Sequence, residues 1–313
     1  MKIVVTGSIA YDYLMSFPGK FTEQILPEHL HRLSVSFLVD SMDKRRGGCA
    51  PNIAYTLALL GEKPHLMGTA GEDFGDYRQW LEAAGVDTSL CKQVGGKFTA
   101  SFFCSTDQSN NQIASFYTGA MADAGQLSFR NVKDAKLAII SPNDPGAMVT
   151  YAEECRTLKI PYIFDPGQQC ARMSGDELRD GLSGAHILIC NDYEFELIRE
   201  KTGLGEKDVL GEVDILIVTK GEKGSSVITK SGQVDVAAVT PHRIADPTGV
   251  GDAFRGGLMK GFAMGLSADA AAKIGSVAAT YCLEHLGGTY HSYTWDEFER
   301  RYQEHFGTLA AAN

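Results

Sequence analysis

The sequence predicts an α/β protein: a doubly wound, mostly parallel sheet flanked by helices, with a small separate β-sheet as a lid. The first observation is the alternation of short apolar strands with helices from about residue 135, which is typical of a parallel sheet covered on both faces. The second is a group of strand-like segments that interrupts this alternation in the N-terminal third. We therefore predict one domain over residues 1–313, with lid segments at about 10–18, 33–46 and 97–118.

The elements of the main sheet follow from periodicity. Buried strands are predicted at 2–6, 137–140, 162–165, 187–190, 215–219 and 226–229. Helices are predicted at about 51–60, 73–84, 147–158, 176–182, 193–201, 253–265, 267–286 and 295–306. Polar residues follow several of the strands, and ligands of open α/β sheets gather at the carboxyl ends of strands. The site is therefore expected at that edge.

The predicted lid is a small sheet with aromatic side chains. Partial alternation predicts a strand at 34–40, and turn residues join two further strands, at 98–106 and 112–118, into a hairpin. Phe102 and Phe116 could stack on a flat ligand ring, or they could simply fill core, since aromatic residues are common in strands. A sheet of this size needs a partner for its apolar face, which could be a ligand, the main domain or another subunit.

Composition excludes several classes of partner. The net charge of -10 disfavours nucleic acid and anionic membranes, and no apolar run approaches the length of a membrane span. The N-terminus reaches Gly7 too soon for a secretory signal. Seven cysteines without C-x-x-C spacing are expected to be reduced, in a cytoplasmic protein. Walker A, early G-x-G-x-x-G and protein-kinase catalytic motifs are all missing from the sequence.

The most informative stretch is Asp246–Phe254, which reads Asp-Pro-Thr-Gly-Val-Gly-Asp-Ala-Phe and leads into a helix. A glycine turn at a helix N-terminus offers free N–H groups and a positive dipole end to an anion. Asp252 would repel an anion, but it has a purpose if it takes a proton from a group attacking that anion, as phosphoryl transfer to a hydroxyl requires. The alternative is an ordinary helix cap.

Other polar residues at predicted strand or helix ends could contact a ligand. Ser8 and Asp12 follow the first strand, although a solvated loop is an equal alternative for the aspartate. Asn52 follows Arg45-Arg46-Gly47-Gly48 and could bind vicinal hydroxyls, or could merely lie in a first helical turn. Asn191 and Glu194 are spaced to face one site. There Glu194 could contact Mg²⁺ through water, or the pair could form a capping box.

These motifs resemble those of the ribokinase-like (PfkB) carbohydrate and nucleoside kinases. The resemblance covers essentially the whole chain and rests on Asp246–Asp252, on Arg46-Gly47-Gly48 with Asn52, and on Asn191–Glu194. It is closer to bacterial ribokinase-like adenosine kinases in further stretches, namely Thr6–Ala10, Leu26–His31, Ser36–Asp40, Ile113–Tyr117 and Gln168-Gln169.

The resemblance implies a role for each matching residue. Asp252 would be the base that deprotonates the acceptor 5′-hydroxyl, and the amides of Gly249, Val250 and Gly251 would form the anion hole. Ring contacts would come from Phe102 and Phe116. The other residues on the acceptor side would be Ser8, Asp12, Ser36, Gly48, Asn52, Gln168 and Gln169.

The donor side is implied in the same way. ATP would contact Asn191, Thr219, Gly221 and Gly251, with Mg²⁺ held by Glu194 through water. Asp246 and Thr248 would be ligands of a monovalent cation such as K⁺, which many family members use. The resemblance thus implies ATP-dependent phosphorylation of adenosine to AMP. The alternatives are a kinase for ribose, fructose or inosine, or a non-catalytic nucleoside-binding protein. We expect a homodimer formed through the lid.

Overall fold

The structure is a computed structural model that describes residues 1–25, 31–32 and 34–309. Residues 26–30 of the resembling stretch Leu26–His31, and residue 33 of the predicted lid, lie outside the described residues. The strands are β1 (Ile3–Thr6), β2 (Ala10–Ser16), β3 (Ser41–Gly47), β4 (His65–Met67), β5 (Thr69–Ala70), β6 (Lys92–Gln93), β7 (Ala100–Thr106), β8 (Gln112–Tyr117), β9 (Leu137–Ile140), β10 (Tyr162–Phe164), β11 (Ile187–Asn191), β12 (Ile215–Thr219), β13 (Ser225–Thr229) and β14 (Gly232–Val236).

The helices agree with the predicted positions to within a few residues, and two short ones were not predicted, α1 and α7. They are α1 (Phe21–Gln24), α2 (Cys49–Leu59), α3 (Gly75–Ala83), α4 (Pro145–Leu158), α5 (Gly175–Leu182), α6 (Asp192–Thr202), α7 (Glu206–Glu212), α8 (Val250–Ala263), α9 (Ala268–Leu283) and α10 (Trp295–Phe306). None of the helices in the described part of the chain is both long and apolar enough to cross a membrane.

Eight strands form the main sheet, in the order β14-β13-β12-β11-β10-β9-β1-β4. The six strands from β12 to β4 run parallel, while β13 and β14 are antiparallel additions at one edge. Alternate residues of β1 enter different apolar cores: Val4 packs with one set of buried residues, and Ile3 and Val5 with another. Because side chains alternate across a strand, the sheet is covered on both faces, as predicted.

A separate sheet in the order β3-β2-β7-β8 forms the lid. The strand predicted at 34–40 is wrong: residues 34–39 have no regular structure, and the strand is Ser41–Gly47. Phe37 instead packs its ring edge against Phe17 and Phe21. Sequence alternation favoured the apolar segment, but the charged segment after it is the one that meets β2 in register, and that pairing is non-local.

Candidate active site

A cavity of about 240 Å³ opens at the carboxyl edge of the main sheet, where the sequence predicted a ligand site. Its wall comes from the ends of β9, β10, β11 and β12 and from the N-terminus of α8. The lining residues are Cys49, Pro142, Asp165, Gly167, Gln168, Asn191, Glu194, Thr219, Gly249, Gly251, Asp252 and Arg255. Seven of these twelve were predicted site residues, so the motifs spread along the sequence do converge here.

The N-terminus of α8 is built around a left-handed glycine. Gly249 has φ +79°, a conformation that side chains with a Cβ rarely adopt. A Cβ there would also lie 2.4 Å from the Cα of Gly288, so the loop before α8 packs directly on the loop after α9. The helix begins at Val250, which places Asp252 in its first turn. The N–H groups of this turn therefore lie beside a carboxylate, as the sequence predicted.

Asp252 is held by Asn52, which projects from the first turn of α2. The Nδ2 of Asn52 donates a hydrogen bond to Oδ2 of Asp252 over 2.8 Å. The pKa of Asp252 is raised to about 7: burial is the largest cause and the nearby Asp165 charge adds to it, against the lowering effects of Asn52 and Arg255. A carboxyl group with a pKa near neutrality is suited to accept a proton from an acceptor hydroxyl.

A buried ion pair beside Asp252 was not predicted from the sequence. The guanidinium of Arg255 contacts both carboxylate oxygens of Asp165 through Nε and Nη2, and its Nη1 donates to the carbonyl of Gly251 at 3.0 Å. Two signals could have indicated it. Asp165 ends a predicted strand at the ligand edge, and Arg255 is three residues after Asp252, so both lie on one face of α8. The pair places a guanidinium next to the first turn of α8 while Asp165 balances its charge.

The glycines before α2 bring the lid against the main domain. Gly48 has φ +95°, and a Cβ there would lie 2.4 Å from the carbonyl oxygen of Ser8. The hydroxyl of Ser8 accepts a hydrogen bond from the N–H of Cys49 at 3.3 Å. Asp12 of β2 lies against Gly47, where burial raises its pKa to about 6. Ser8 and Gly48 therefore shape the turn beside the cavity rather than line the cavity itself.

Asp12 is also part of one row across the lid sheet. It pairs with Arg45 on β3 and with Phe102 on β7, and Phe102 in turn pairs with Phe116 on β8. Paired residues point to the same face of a sheet. The two phenylalanines are therefore neighbours on one wall, and a ring lying against them would be covered on one side only.

Of the predicted donor-side residues, all but Gly221 line the cavity. Asn191 and Glu194 form a capping box at the start of α6: the N–H of Asn191 donates to Glu194 Oε2 at 2.8 Å, and the N–H of Glu194 to Asn191 Oδ1 at 2.7 Å. The capping alternative is thus present, and Glu194 also lines the cavity. Thr219 lines the cavity too, whereas Gly221 is exposed in a short turn after β12.

The three remaining predicted acceptor-side residues differ in whether they reach the cavity. Gln168 lines the cavity and contacts the sulfur of Cys49 through Nε2 at 3.7 Å. Gln169 is buried, and its Oε1 has no hydrogen-bond partner among the described residues. Ser36 is exposed in the irregular segment before β3 and, within the described ranges, does not line the cavity.

The cavity suits a phosphate-bound Mg²⁺ better than a metal held by protein alone. No group of three or more His, Cys, Asp or Glu residues arranged to hold a metal occurs in the described part of the chain. Mg²⁺ keeps several waters and is commonly bound by one or two carboxylates together with substrate phosphates. The box hydrogen bond uses one oxygen of Glu194, and the other oxygen is the atom that fits a water ligand of Mg²⁺. Such an ion would neutralise phosphate charge.

The chain matches the pfkB family carbohydrate kinases over residues 4–295, nearly its full length. It belongs to the PfkB family. Its fold is accordingly the ribokinase-like α/β fold, in which a large mixed sheet flanked by helices accompanies a small separate sheet.

Two relatives share nearly the whole chain. The nucleoside kinase of Burkholderia thailandensis in complex with inosine is 36% identical, with a TM-score of 0.88 and coverage of 99% of both chains. The same protein has also been solved in complex with ADP-inosine, with a TM-score of 0.87, 37% identity and coverage of 99% of this chain and 98% of that one. The nucleoside kinase of Methanocaldococcus jannaschii is 29% identical over 306 residues, 97% of each sequence.

Asp246, one of the two predicted cation ligands of this PfkB chain, has several protein partners. Asp246 accepts the N–H of Thr248 at Oδ1 over 2.9 Å and the N–H of Gly287 at Oδ2 over 3.0 Å. The guanidinium Nη1 of Arg45 lies 3.2 Å from the same Oδ2. A positive side chain thus already lies where the resemblance implied a monovalent cation.

Proposed function

We propose that this chain is a nucleoside kinase that transfers the γ-phosphoryl group of ATP to the 5′-hydroxyl of a purine nucleoside. The observation that carries the proposal is the position of Asp252 in the first turn of α8, beside the N–H groups of the helix N-terminus and with a pKa raised to about 7. A bare anion site would not favour a carboxylate there, whereas a hydroxyl attacking a phosphoryl group needs a base at that point.

The acceptor would lie between the cavity and the lid. Asp12, which lies against Gly47, and Asn52, in the first turn of the helix after Gly48, are suited to hydrogen-bond the ribose hydroxyls. Asn52 has an oxygen, Oδ1, without a hydrogen-bond partner among the described residues, so it can still accept from a hydroxyl. Phe102 and Phe116 would support the nucleobase, since they lie in the same cross-strand row as Asp12.

The donor would occupy the other side of Asp252. Its γ-phosphate would meet the N–H groups of Gly249, Val250 and Gly251, with Asn191, Thr219 and Gly221 toward the rest of ATP. Glu194 would hold Mg²⁺ through water. Arg255 adds positive charge near Gly251 through its hydrogen bond to that carbonyl. Positioning and electrostatic stabilisation are the main means of catalysis in phosphoryl transfer.

Adenosine is the proposed substrate, with inosine as the direct competitor because a relative binds it. We also propose that the protein is a homodimer through the lid. The face of the lid opposite Asp12 carries the exposed side chains of Met42, Phe103, Ile113 and Tyr117. An apolar surface of this kind is typical of an interaction site.

The test is ADP formation with Mg²⁺–ATP and a panel of acceptors: adenosine, inosine, ribose and fructose. The product would be identified by its phosphorus-31 resonance and chromatographic mobility as a nucleoside 5′-monophosphate. The proposal expects kcat/KM for adenosine to exceed that for either sugar by at least about 100-fold, because a base-binding wall adds contacts that a free sugar lacks. Preferred turnover of ribose or fructose would refute the nucleoside assignment. Preferred turnover of inosine would change only the proposed substrate, from adenosine to inosine.

A further inference from the structure

The carboxylate of Asp246 ties together the loops on either side of the anion-binding turn. Its Oδ1 accepts from Thr248, the residue directly before Gly249, and its Oδ2 accepts from Gly287 in the loop after α9. These two loops touch where Gly249 packs on Gly288. A fixed and charged Asp246 therefore fixes the position of the N–H groups at the start of α8.

A charge in this position needs a counter-charge, and Arg45 supplies it from the lid. Nη1 of Arg45 lies 3.2 Å from Oδ2 of Asp246, and both side chains are mostly buried. Nε of Arg45 is held in turn by Asp43, at 2.7 Å on the same strand. The aliphatic part of Arg45 runs past Gly287, where a Cβ would lie 3.7 Å from Cδ. The contact with Asp43 thus holds Nε of the guanidinium, while Nη1 points at Asp246.

This arrangement does not fit a monovalent cation as a ligand of Asp246. Such a cation needs carboxylate lone pairs and a site free of other positive charge, but Oδ2 of Asp246 already receives one N–H and faces a guanidinium. Two positive charges within a few ångströms repel strongly in a partly buried site. We propose that Arg45 takes the place of the monovalent cation, so that this chain binds nucleoside and turns over without K⁺.

The proposal also makes Arg45 a positioning residue that connects the lid to the phosphate site. Arg45 pairs with Asp12 on the neighbouring strand. The proposed ribose contact, Asp12, and the side chain that balances the charge of Asp246 therefore lie side by side. Loss of the Arg45 charge would therefore affect Asp12 as well as Asp246, because Arg45 lowers the pKa of Asp12. Loss of activity alone would not separate these effects, but a response to added cation would.

The activity arm compares KCl with tetramethylammonium chloride at equal ionic strength, since the latter cation is too large for an oxygen cage. Wild type should differ by less than about twofold between the two salts, and so should Arg45→Lys, which keeps the charge. Arg45→Met should lose roughly 10-fold to 100-fold in kcat/KM in tetramethylammonium and recover several-fold in KCl. The matched control is Lys44→Met, one residue earlier and on the opposite face, where Lys44 covers the ring of Tyr11; it should not respond to K⁺.

The stability arm needs no turnover, so it is independent of the proposed function. The melting temperature of Arg45→Met should rise on replacing tetramethylammonium with K⁺, because a cation that binds only the folded state stabilises it, whereas wild type should not change. Activation of wild type by K⁺ of more than about fivefold would overturn the proposal. An Arg45→Met variant that loses activity, and whose kcat/KM and melting temperature both fail to rise with K⁺, would also overturn it. If Arg45→Met does not fold, wild type and Arg45→Lys decide the question by the same comparison.

Discussion

Asn52 holds Asp252 through a single hydrogen bond of 2.8 Å between side chains that are 200 residues apart in the sequence. Asn52 lies in the first turn of α2 and Asp252 in the first turn of α8, so the contact joins two helix N-termini. The hydrogen bond favours the charged carboxylate, while burial favours the neutral acid, and burial is the stronger effect. Asp252 is thereby oriented toward the cavity and kept near the pKa that a base at neutral pH requires.

Replacing the proposed base should abolish most turnover without abolishing nucleoside binding. Asp252→Asn keeps the size of the side chain and an oxygen that can accept from Asn52, but it cannot take a proton. We expect kcat to fall by about 10²–10⁴-fold, the usual contribution of a general base. Steady-state kinetics would give kcat, and calorimetric titration with adenosine would give the dissociation constant.

The control for this change is Asp269→Asn, which alters another aspartate in the first turn of a helix, α9, away from the cavity lining. It should leave kcat unchanged to within about twofold, because it affects only a helix terminus. A near-normal kcat in Asp252→Asn would exclude Asp252 as the base.

The pH dependence should follow the carboxyl group of Asp252. Since the base acts when deprotonated, kcat/KM should rise with pH and level off above about 7, the pKa to which burial raises this group. Asn52→Ala removes a hydrogen bond that lowers this pKa, so the midpoint of its profile should move to higher pH. A midpoint unchanged by Asn52→Ala would mean that another group controls the profile.

The same carboxyl group should make stability depend on pH. Its folded-state pKa, about 7, lies above the ordinary 3.8 of an unfolded aspartate, so the native state holds the proton more tightly. The resulting stabilisation is complete below about pH 4 and is lost as the pH rises through about 7. Asp252→Asn has no proton to lose, so its melting temperature relative to wild type should increase between pH 5 and pH 8. A constant difference would contradict the raised pKa.

The lid wall should contribute to nucleoside binding and not to ATP binding. Phe116→Ala removes a ring from the cross-strand row that contains Asp12, and base–aromatic stacking is worth about 1–3 kcal/mol per base. The KM for adenosine should rise roughly 10-fold, with little change in the KM for ATP. Tyr117→Ala is the matched control, because Tyr117 is 44% exposed against 47% for Phe116 but points to the other face of β8. Equal effects of both changes would make Phe116 a structural residue only.

Removing the charge of Glu194 should raise the Mg²⁺ concentration that the enzyme needs. Glu194→Gln keeps the capping box, which accepts glutamine at this position, but removes the charge that would attract Mg²⁺. We expect the Mg²⁺ concentration for half-maximal activity to rise roughly 10-fold, with the melting temperature nearly constant. Glu177→Gln makes the same change in the capping box of α5, outside the cavity lining, and should not alter the Mg²⁺ requirement. A matching change in both variants would indicate a helix effect instead.

The sequence predicted those elements whose evidence is local. The buried strands of the main sheet are short apolar runs, and the helices between them have caps and periodicity, so both could be placed to within a few residues. The glycine turn before α8 was likewise apparent, because Gly249, Val250 and Gly251 come just before Asp252. The lid strand was misplaced by seven residues, since strand pairing depends on a partner elsewhere in the chain.

Side-chain partners could not be predicted in the same way. Nothing in the local sequence of Arg45 indicates Asp246, 201 residues away. The positions of Asp165 and Arg255 in the sequence point to the ligand edge, but not to the contact between their side chains. Glu194 could be read as a cap or as a metal contact, and the folded chain combines the capping box with a place in the cavity wall.

By itself, the sequence determined the α/β class, and it predicted a ligand site at the carboxyl edge and a glycine turn with a proposed base beside it, because each depends on neighbouring residues. Only the tertiary structure decided which side chain balances each buried charge. The pKa of Asp252 depends on burial and on Asn52, Asp165 and Arg255, and that of Asp12 on burial, Arg45 and Asp246. Those groups come within interaction distance only when the sheet and the lid close around them, since electrostatic effects depend on distance and on exclusion of water.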